Sequence, residues 1–529
     1  MHSPRFQLAD FISAAAEISP ELPCFRFEDG SSRTFAETEA RVSRLATALQ
    51  ARGIGKGDRI AILSLDKAEY IETLFACTMI GAAFVPLNNR LRTSELRILL
   101  EAAAPSALFV SARYAELVPE LSEGLATVSL SVCYDGTSGL IAFEDLLAEG
   151  QPVRPRIEID DSDCAAIVFT SGTTGRPKAA MQSQKALKST FTNALVNFEL
   201  SYEGCGYSGS PLFHVAGYGI AFANLVSRSA SLVMPQFDPA AVLACIDKGY
   251  VTHCLFVPTM VTMLLDHPDC AATSFGGLET ILYGAAPMSP SLLRRAIEKF
   301  GCNFVQLFGA ATETGTQLTL TSKDHKRALA GAEHLLGSVG RPGLAVRMRI
   351  VDADGNEVPV GTVGEIVTQS DQTMIGYLDR PDETARAIRN GWFWGGDLGV
   401  RDAEGYVYLS GRSKDMIIRG GENIYPVEIE TVMSGIPGIV HVSVIGEPDD
   451  HWGETVLACI MVNDDFAGIE HALSECGQQL ARFKVPARIE ILSSMPLTAS
   501  GKISKPTLRE AGREGRHEAY GARTELQPA

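Results

Sequence analysis

Two apolar spacings alternate along the first part of the chain. Val42, Leu45 and Leu49 recur at helical steps, Thr34 and Glu37 stand at the spacing of a capping box, and Gly53 is placed to end the helix. RIAIL at 59–63 then reads as a strand. A helix is predicted from about Asp66 to Ile80, a strand in AAFVPL (82–87), a helix from about Thr93, and a strand in SALFV (106–110). The same rhythm continues through ASLVMP (230–235), THCLFVP (252–258), ETILYG (279–284) and CNFVQLFG (302–309). Helices alternating with short buried strands predict an α/β fold with helices packed on sheets. In such sheets ligands bind beyond the carboxyl ends of strands, so the loops opening at Thr170, Gly284 and Phe308 are candidate site walls.

After about residue 412 the pattern changes. DMIIRGGENIYP reads as a glycine-bearing hairpin, followed by a short helix, the strands VHVSVIG and TVLACIMV, a helix near Gly468–Leu480 and the strand ARIEIL. The reading is a large multi-sheet N-terminal domain over 1–412 and a small α+β C-terminal domain over 413–529. The charged, glycine-broken tail from Arg509 reads as disordered.

Composition narrows the class. The chain has 529 residues, 46% of them hydrophobic and 21% charged, which excludes a stapled mini-protein and a disordered chain. A net charge of −17 disfavours nucleic acid and anionic membranes as partners, so anionic ligands need local basic sites. Eleven scattered cysteines lack a CxxC pair or zinc spacing and read as reduced thiols. No secretory leader and no run of about twenty apolar residues is evident, so a cytoplasmic protein without a membrane span is expected. A homodimer is left open.

The first candidate chemistry follows the apolar run AAIVF (165–169). TSGTTGRPK at 170–178 places Thr170, Ser171, Gly172, Thr173, Thr174, Gly175 and Lys178 in nine positions. Glycines let backbone N–H groups point into a concavity, hydroxyls add donors, and the lysine adds a mobile charge, a combination suited to polyphosphate. An exposed polar turn has the same composition. The Walker A pattern is excluded, because Gly175 is followed by Arg-Pro-Lys.

This string resembles the phosphate loop of the adenylate-forming superfamily, which contains acyl-CoA synthetases, luciferases and peptide-synthetase adenylation domains. PLFHVAG (211–217), YGAAPMSP (283–290), ATE (311–313), GWFWGGDLG (391–399), GRSKDMIIRGGENIYPVEIE (411–430) and PLTASGKI (496–503) resemble further motifs of its acyl-CoA or aryl-CoA synthetase branch, in the same order. The resemblance implies that ATP and a carboxylic acid form an acyl-adenylate and pyrophosphate, after which coenzyme A takes the acyl group and AMP leaves. It assigns Lys502 to the bridge between carboxylate and α-phosphate, Glu313 to Mg2+, and Thr312 to a phosphate or adenylate contact. Asp397, assisted by Arg412, binds the ribose hydroxyls, and Gly284, Ala285, Ala286 and Pro287 line the adenine. His214 borders the acyl pocket and helps gate the thiol, with Val215, Tyr218, Gly219 and Tyr283 as further pocket candidates. Lys414 matches a hinge about which the small domain rotates, making that domain mobile, and Gly420 and Gly421 match the segment that serves thioester formation.

Three positions depart from the family pattern. Ala179 replaces a glycine after the lysine, Gly395 replaces a threonine near the nucleotide, and FGAATE has one residue more than usual between aromatic and threonine. The spacing of Gln306 favours Phe308 as the adenine-stacking aromatic with an inserted alanine, the other register placing Gly309 there. The alternatives are a stand-alone amino- or aryl-acid adenylation domain, a luciferase-like oxygenase, and a non-catalytic nucleotide-binding protein. The first lacks the expected aspartate near 214, and the last would be expected to lose Lys502, Glu313 or Asp397. Low charge around the pocket candidates predicts an apolar aromatic or medium-chain aliphatic acid.

Overall fold

The computed structural model of the chain describes residues 6–170, 177–286, 288–449, 451–497, 503–513 and 523–526. The strands predicted from apolar runs form within a residue or two of their expected bounds, among them Arg59–Leu63, Ala83–Pro86, Ala107–Val110, His253–Phe256, Thr280–Gly284 and Asn303–Phe308. Thr34 caps the helix Phe35–Ala51 through a complete capping box with Glu37, satisfying amides that the first turn leaves without partners. One boundary differs. The helix expected from Asp66 begins at Ala68, and Asp66 lies in the turn before it.

Among the described residues the strands form four sheets. In the eight-stranded sheet, Arg59–Leu63 pairs in parallel with Ala83–Pro86 and Ala107–Val110, while Cys164–Thr170 joins Ala83–Pro86 and then turns back as Lys178–Ser183. In the nine-stranded sheet, Cys205–Ser208, His253–Phe256, Thr280–Gly284 and Asn303–Phe308 run parallel side by side. Such strands are covered on both faces, which is why they read as continuous apolar runs rather than as alternating ones.

Helices Gln184–Asn197 and Val215–Val226 pack on each other, the first touching the eight-stranded sheet and the second the nine-stranded one. Phe191 and Phe222 stack at this seam with centroids 4.5 Å apart, and Phe84 meets Tyr218 edge-on at 5.4 Å. This buried seam joins the two sheets into one body, and each aromatic pair adds about 0.5–1.5 kcal/mol beyond the area it buries. A third, five-stranded sheet contains Arg347–Val351, Gly364–Gln369, Trp392–Arg401 and Val407–Arg412.

The fourth sheet begins after Arg412. The long strands Ile439–Asp449 and Gly453–Val462, the hairpin Ile417–Arg419 with Glu422–Ile424, and Arg488–Ile491 carry helices Pro426–Ser434 and Ile469–Gln479. These share a core of their own that includes Ile424, Ile429, Met433, Val444, Val456, Ala472 and Cys476. The C-terminal unit is therefore a small α+β domain beside a large multi-sheet one. The described parts of the tail differ from the expectation of disorder: Arg509 lies in the helix Lys505–Arg513 and pairs with Asp415 at 2.9 Å, and Arg523–Leu526 adds a strand beside Arg488–Ile491, while 514–522 and 527–529 lie outside the described residues. Local composition missed this because the helix is held by tertiary partners, with Leu508 buried beneath it.

All eleven cysteines are free. No helix among the described residues is long and apolar enough to cross a membrane.

Candidate active site

Thr170 and Lys178 stand opposite each other where two antiparallel strands of the eight-stranded sheet end, with the phosphate-loop string between them. Ser171, Gly172, Thr173, Thr174 and Gly175 lie outside the described residues, as do Pro287 and Lys502. The Thr170 hydroxyl donates to the Lys178 carbonyl at 3.4 Å. The Lys178 ammonium pairs with Glu383 and stands 5.1 Å from the centroid of the Tyr377 ring. Tyr377 in turn donates its hydroxyl to Glu313 Oε1 at 3.1 Å.

Glu313 sits on the single turn Ala311–Thr314, which follows the strand Asn303–Phe308. Two contacts fix that turn: Gln182 donates its side-chain amide to the Thr312 carbonyl, and Met374 donates its backbone amide to the Glu313 carbonyl at 2.7 Å. Desolvation pushes the Glu313 carboxyl above the usual carboxylate range, opposed by the Tyr377 hydrogen bond and by the charges of Arg412 and Lys178. Arg412 is also the partner of Asp397, at 2.9 Å, and the two occupy paired positions on adjacent strands. Lys178, Tyr377, Glu313, Arg412 and Asp397 thus form one electrostatically connected row, although their positions span 235 residues of sequence from 178 to 412.

Gly284 ends its strand where a Cβ would stand 2.4 Å from the Leu307 carbonyl oxygen, so close backbone approach requires glycine there. Ala285 follows with φ +67°, a conformation alanine rarely adopts, and Ala286 is partly exposed. Gly309 and Ala310 connect the end of the strand at Phe308 to the turn starting at Ala311. Gln317 closes this connection by donating its amide to the Phe308 carbonyl at 2.8 Å. The Phe308 ring is half-buried against Leu318, Val339, Ile366 and Val407. A Cβ at Gly395 would crowd the Phe393 ring at 3.1 Å and come into ordinary contact with Asp397 Oδ2 at 3.7 Å.

His214 caps helix Val215–Val226, its Nδ1 accepting from the Ala216 amide at 3.2 Å. A Cβ on Gly219 would meet nothing within 4 Å, so the helix face bearing Gly219 and the partly exposed Ala216 borders open space. Val215 is almost fully buried. Two pocket candidates point elsewhere. Tyr218 is fully buried against Phe84. Tyr283 lies on the opposite face of its strand from Leu282, which faces the helix side, and its hydroxyl is bonded to His325 Nε2 at 2.9 Å. The twofold alternation of strand side chains explains the second difference, and the helical step from Gly219 to Tyr218 explains the first.

Lys414 lies in the short helical turn Ser413–Asp415 just after the five-stranded sheet, where partial desolvation and the Arg412 charge hold its ammonium below the usual range. Gly420 and Gly421 form the two-residue turn of the hairpin with φ of +58° and +88°, values that L-residues adopt at a cost. Leu497 forms an antiparallel bridge with Ile503.

Sequence reading missed several supporting residues. Asp66 accepts the amide of Leu212, two residues before His214, at 2.9 Å, tying the PLFH segment to the other sheet. Burial pushes its carboxyl up to about 7, against the Leu212 hydrogen bond and the Arg90 charge. Tyr377 and Glu383 occur in GYLDRPDET, where proline at 381 signals a helix start but nothing local points to Lys178. Glu365 accepts the Gly396 amide at 2.9 Å and shapes the turn before Asp397.

The AMP-binding enzyme family matches residues 12–378, and the AMP-binding enzyme C-terminal domain matches residues 428–502. Feruloyl-CoA synthase of Amycolatopsis sp is 36% identical over 498 residues, covering 93% of this chain and 96% of its own. Indoleacetate–CoA ligase of Aromatoleum aromaticum is 34% identical over 508 residues, covering 95% and 98%. The ATP-bound structure of MatB from Rhodopseudomonas palustris superposes with a TM-score of 0.87 at 28% identity, covering 97% of this chain and 100% of that one. With both family domains matched in order and near-complete coverage by these ligases, the chain belongs to the AMP-binding enzymes of the adenylate-forming superfamily, in their acyl-CoA synthetase branch, and is an AMP-forming acid–CoA ligase.

Proposed function

We propose that the chain activates an apolar aromatic acid, with medium-chain aliphatic acids as the next class, and that the row from Lys178 to Asp397 is its nucleotide site. The observation that carries this reading is the single connected row of a lysine, a recessed carboxylate and a carboxylate–arginine pair drawn from four separate motifs. In the first step a carboxylate oxygen of the acid attacks the α-phosphorus of ATP and the bond to pyrophosphate breaks. Lys178 holds charge on the departing phosphates, Asp397 accepts the ribose hydroxyls, and Arg412 holds the Asp397 carboxylate in place through their 2.9 Å ion pair. Lys502 would bridge the acid and the α-phosphate. Positioned charge of this kind supplies most of the acceleration in phosphoryl and nucleotidyl transfer.

No group of three or more metal-ligating side chains occurs among the described residues. Glu313 fits Mg2+ as one carboxylate to an ion whose other ligands are phosphate oxygens and water, and the ion would neutralise phosphate charge there. In the second step the coenzyme A sulfur attacks the acyl carbon, its proton is lost and AMP leaves. We place the domain boundary at 412/413 and the hinge at Lys414, so that rotation exchanges the Lys502 segment for the Gly420–Gly421 turn.

The acid site follows the open helix face at Gly219, next to the cluster of Ile220, Ala223 and Leu282 against which the partly exposed Ala216 and Leu307 pack, with His214 at its mouth. Helix Val215–Val226 carries no charged residue, which suits an apolar acyl group and offers nothing to a second carboxylate. The names of two relatives, feruloyl-CoA synthase and indoleacetate–CoA ligase, support an aromatic substrate. A panel of carboxylic acids assayed for CoA-dependent AMP release tests the reading. Aryl acids are expected to give the highest kcat/KM, and preference for malonate would overturn it. Lys502→Ala is expected to lose ATP–pyrophosphate exchange yet convert a supplied acyl-adenylate to thioester, and Gly421→Leu to do the reverse. Equal loss of both half-reactions in both folded variants would refute the rotation.

A further inference from the structure

Lys178 is already paired before any phosphate reaches it. Its partner Glu383 lies in the first turn of helix Pro381–Ala387, and the strand Gly376–Tyr377 that precedes this helix pairs directly with Lys178–Ser183. The connection is tied at several points. Leu378 donates its amide to the Ala179 carbonyl at 2.8 Å, Tyr377 donates its amide to Thr384 Oγ1 at 2.8 Å, and that hydroxyl donates to the Arg380 carbonyl at 2.9 Å. Backbone geometry therefore delivers Glu383 to Lys178, and Tyr377 forms the floor beneath the ammonium. Each side chain of the pair is 22% exposed, so solvent and salt screen it less than they screen a surface pair.

We propose that Glu383 is a positioning residue that neutralises Lys178 in the nucleotide-free enzyme and is exchanged for the β- and γ-phosphates when ATP binds. The inference rests on the assignment of Lys178 to phosphate given above. An uncompensated ammonium in this recess would be costly, so a resident carboxylate stabilises the empty site. The net attraction of Lys178 for triphosphate is then reduced by the pair that must break. When pyrophosphate departs, the same carboxylate recaptures the lysine. Glu383 thus weakens binding of ATP and pyrophosphate alike and favours release of the leaving group. AMP has neither a β- nor a γ-phosphate, and its affinity is independent of the exchange.

The test compares wild-type enzyme with Glu383→Gln and Glu383→Asp, measuring Kd for Mg·ATP, pyrophosphate and AMP by calorimetry. Glu383→Gln is expected to tighten ATP and pyrophosphate by about three- to tenfold, with AMP unchanged within about twofold. Glu383→Asp keeps the charge and is expected to stay near wild type. Unchanged or weaker ATP binding in Glu383→Gln, or AMP tightening equally, overturns the proposal, as does a parallel weakening of all three ligands with a lowered Tm. If wild-type enzyme and Lys178→Met bind ATP and pyrophosphate equally well, the assignment of Lys178 itself fails, which is a separate result.

Discussion

Asp66→Asn is expected to stabilise the protein, and by an amount that grows with pH. The folded Asp66 carboxyl titrates at about 7, against 3.8 for an ordinary aspartate, because it is buried where the turn meets the PLFH segment. Its folded pKa is raised, so the contribution to stability is fully present below the unfolded pKa and is lost as pH rises to about 7. Between those values the unfolded chain ionises freely while the folded chain keeps its proton. Each pH unit in that window costs the wild type about 1.4 kcal/mol, which sets an upper bound of roughly 4 kcal/mol over the whole interval. Asparagine has the same shape, still accepts from the Leu212 amide through its side-chain oxygen, and does not titrate. Urea unfolding followed by far-UV circular dichroism at pH 5, 6, 7 and 8 measures the effect. The stability difference between variant and wild type should widen by about 2–3 kcal/mol from pH 5 to pH 7 and then level off. A constant offset across the series would show that Asp66 is ionised in the folded protein and refute the reasoning.

Other expectations concern the site. Gly219→Phe places a ring in the open space beside the helix and should raise KM for the acid by about tenfold or more, equivalent to about 1.4 kcal/mol, with the Kd for ATP unchanged. Gly284→Ala forces a Cβ against the Leu307 carbonyl and should cost about 1–3 kcal/mol, read as a lowered denaturation midpoint. Glu313→Gln keeps an acceptor for Tyr377 but removes the charge. ATP–pyrophosphate exchange should fall about a hundredfold or more, and the half-saturating Mg2+ concentration should rise. Because desolvation raises the Glu313 carboxyl, wild-type exchange should fail on acidification at a pH above the range of an exposed glutamate, and a limb at ordinary carboxylate pH would contradict this.

Much of the architecture was written locally. Continuous apolar runs specified the buried parallel strands, Thr34 and Glu37 specified a helix start, and paired glycines at 420 and 421 specified a hairpin turn, because each depends on neighbours a few residues away. Motif order carried the family and the chemistry, and it placed Lys178, Glu313, Asp397 and Arg412 at one site without any distance being known. Tertiary structure decided the rest. It turned Tyr218 into the seam between sheets and Tyr283 toward His325, since a residue's face depends on which neighbour its element packs against. It brought Glu383 to Lys178 from 205 positions away and Asp66 to Leu212 from 146. It also placed Arg509, where the composition read as disordered, in a helix held by Asp415. Local spacing encodes backbone geometry and recognisable chemistry, whereas pairing, burial and the resulting charge states arise only when distant segments share one enclosed volume.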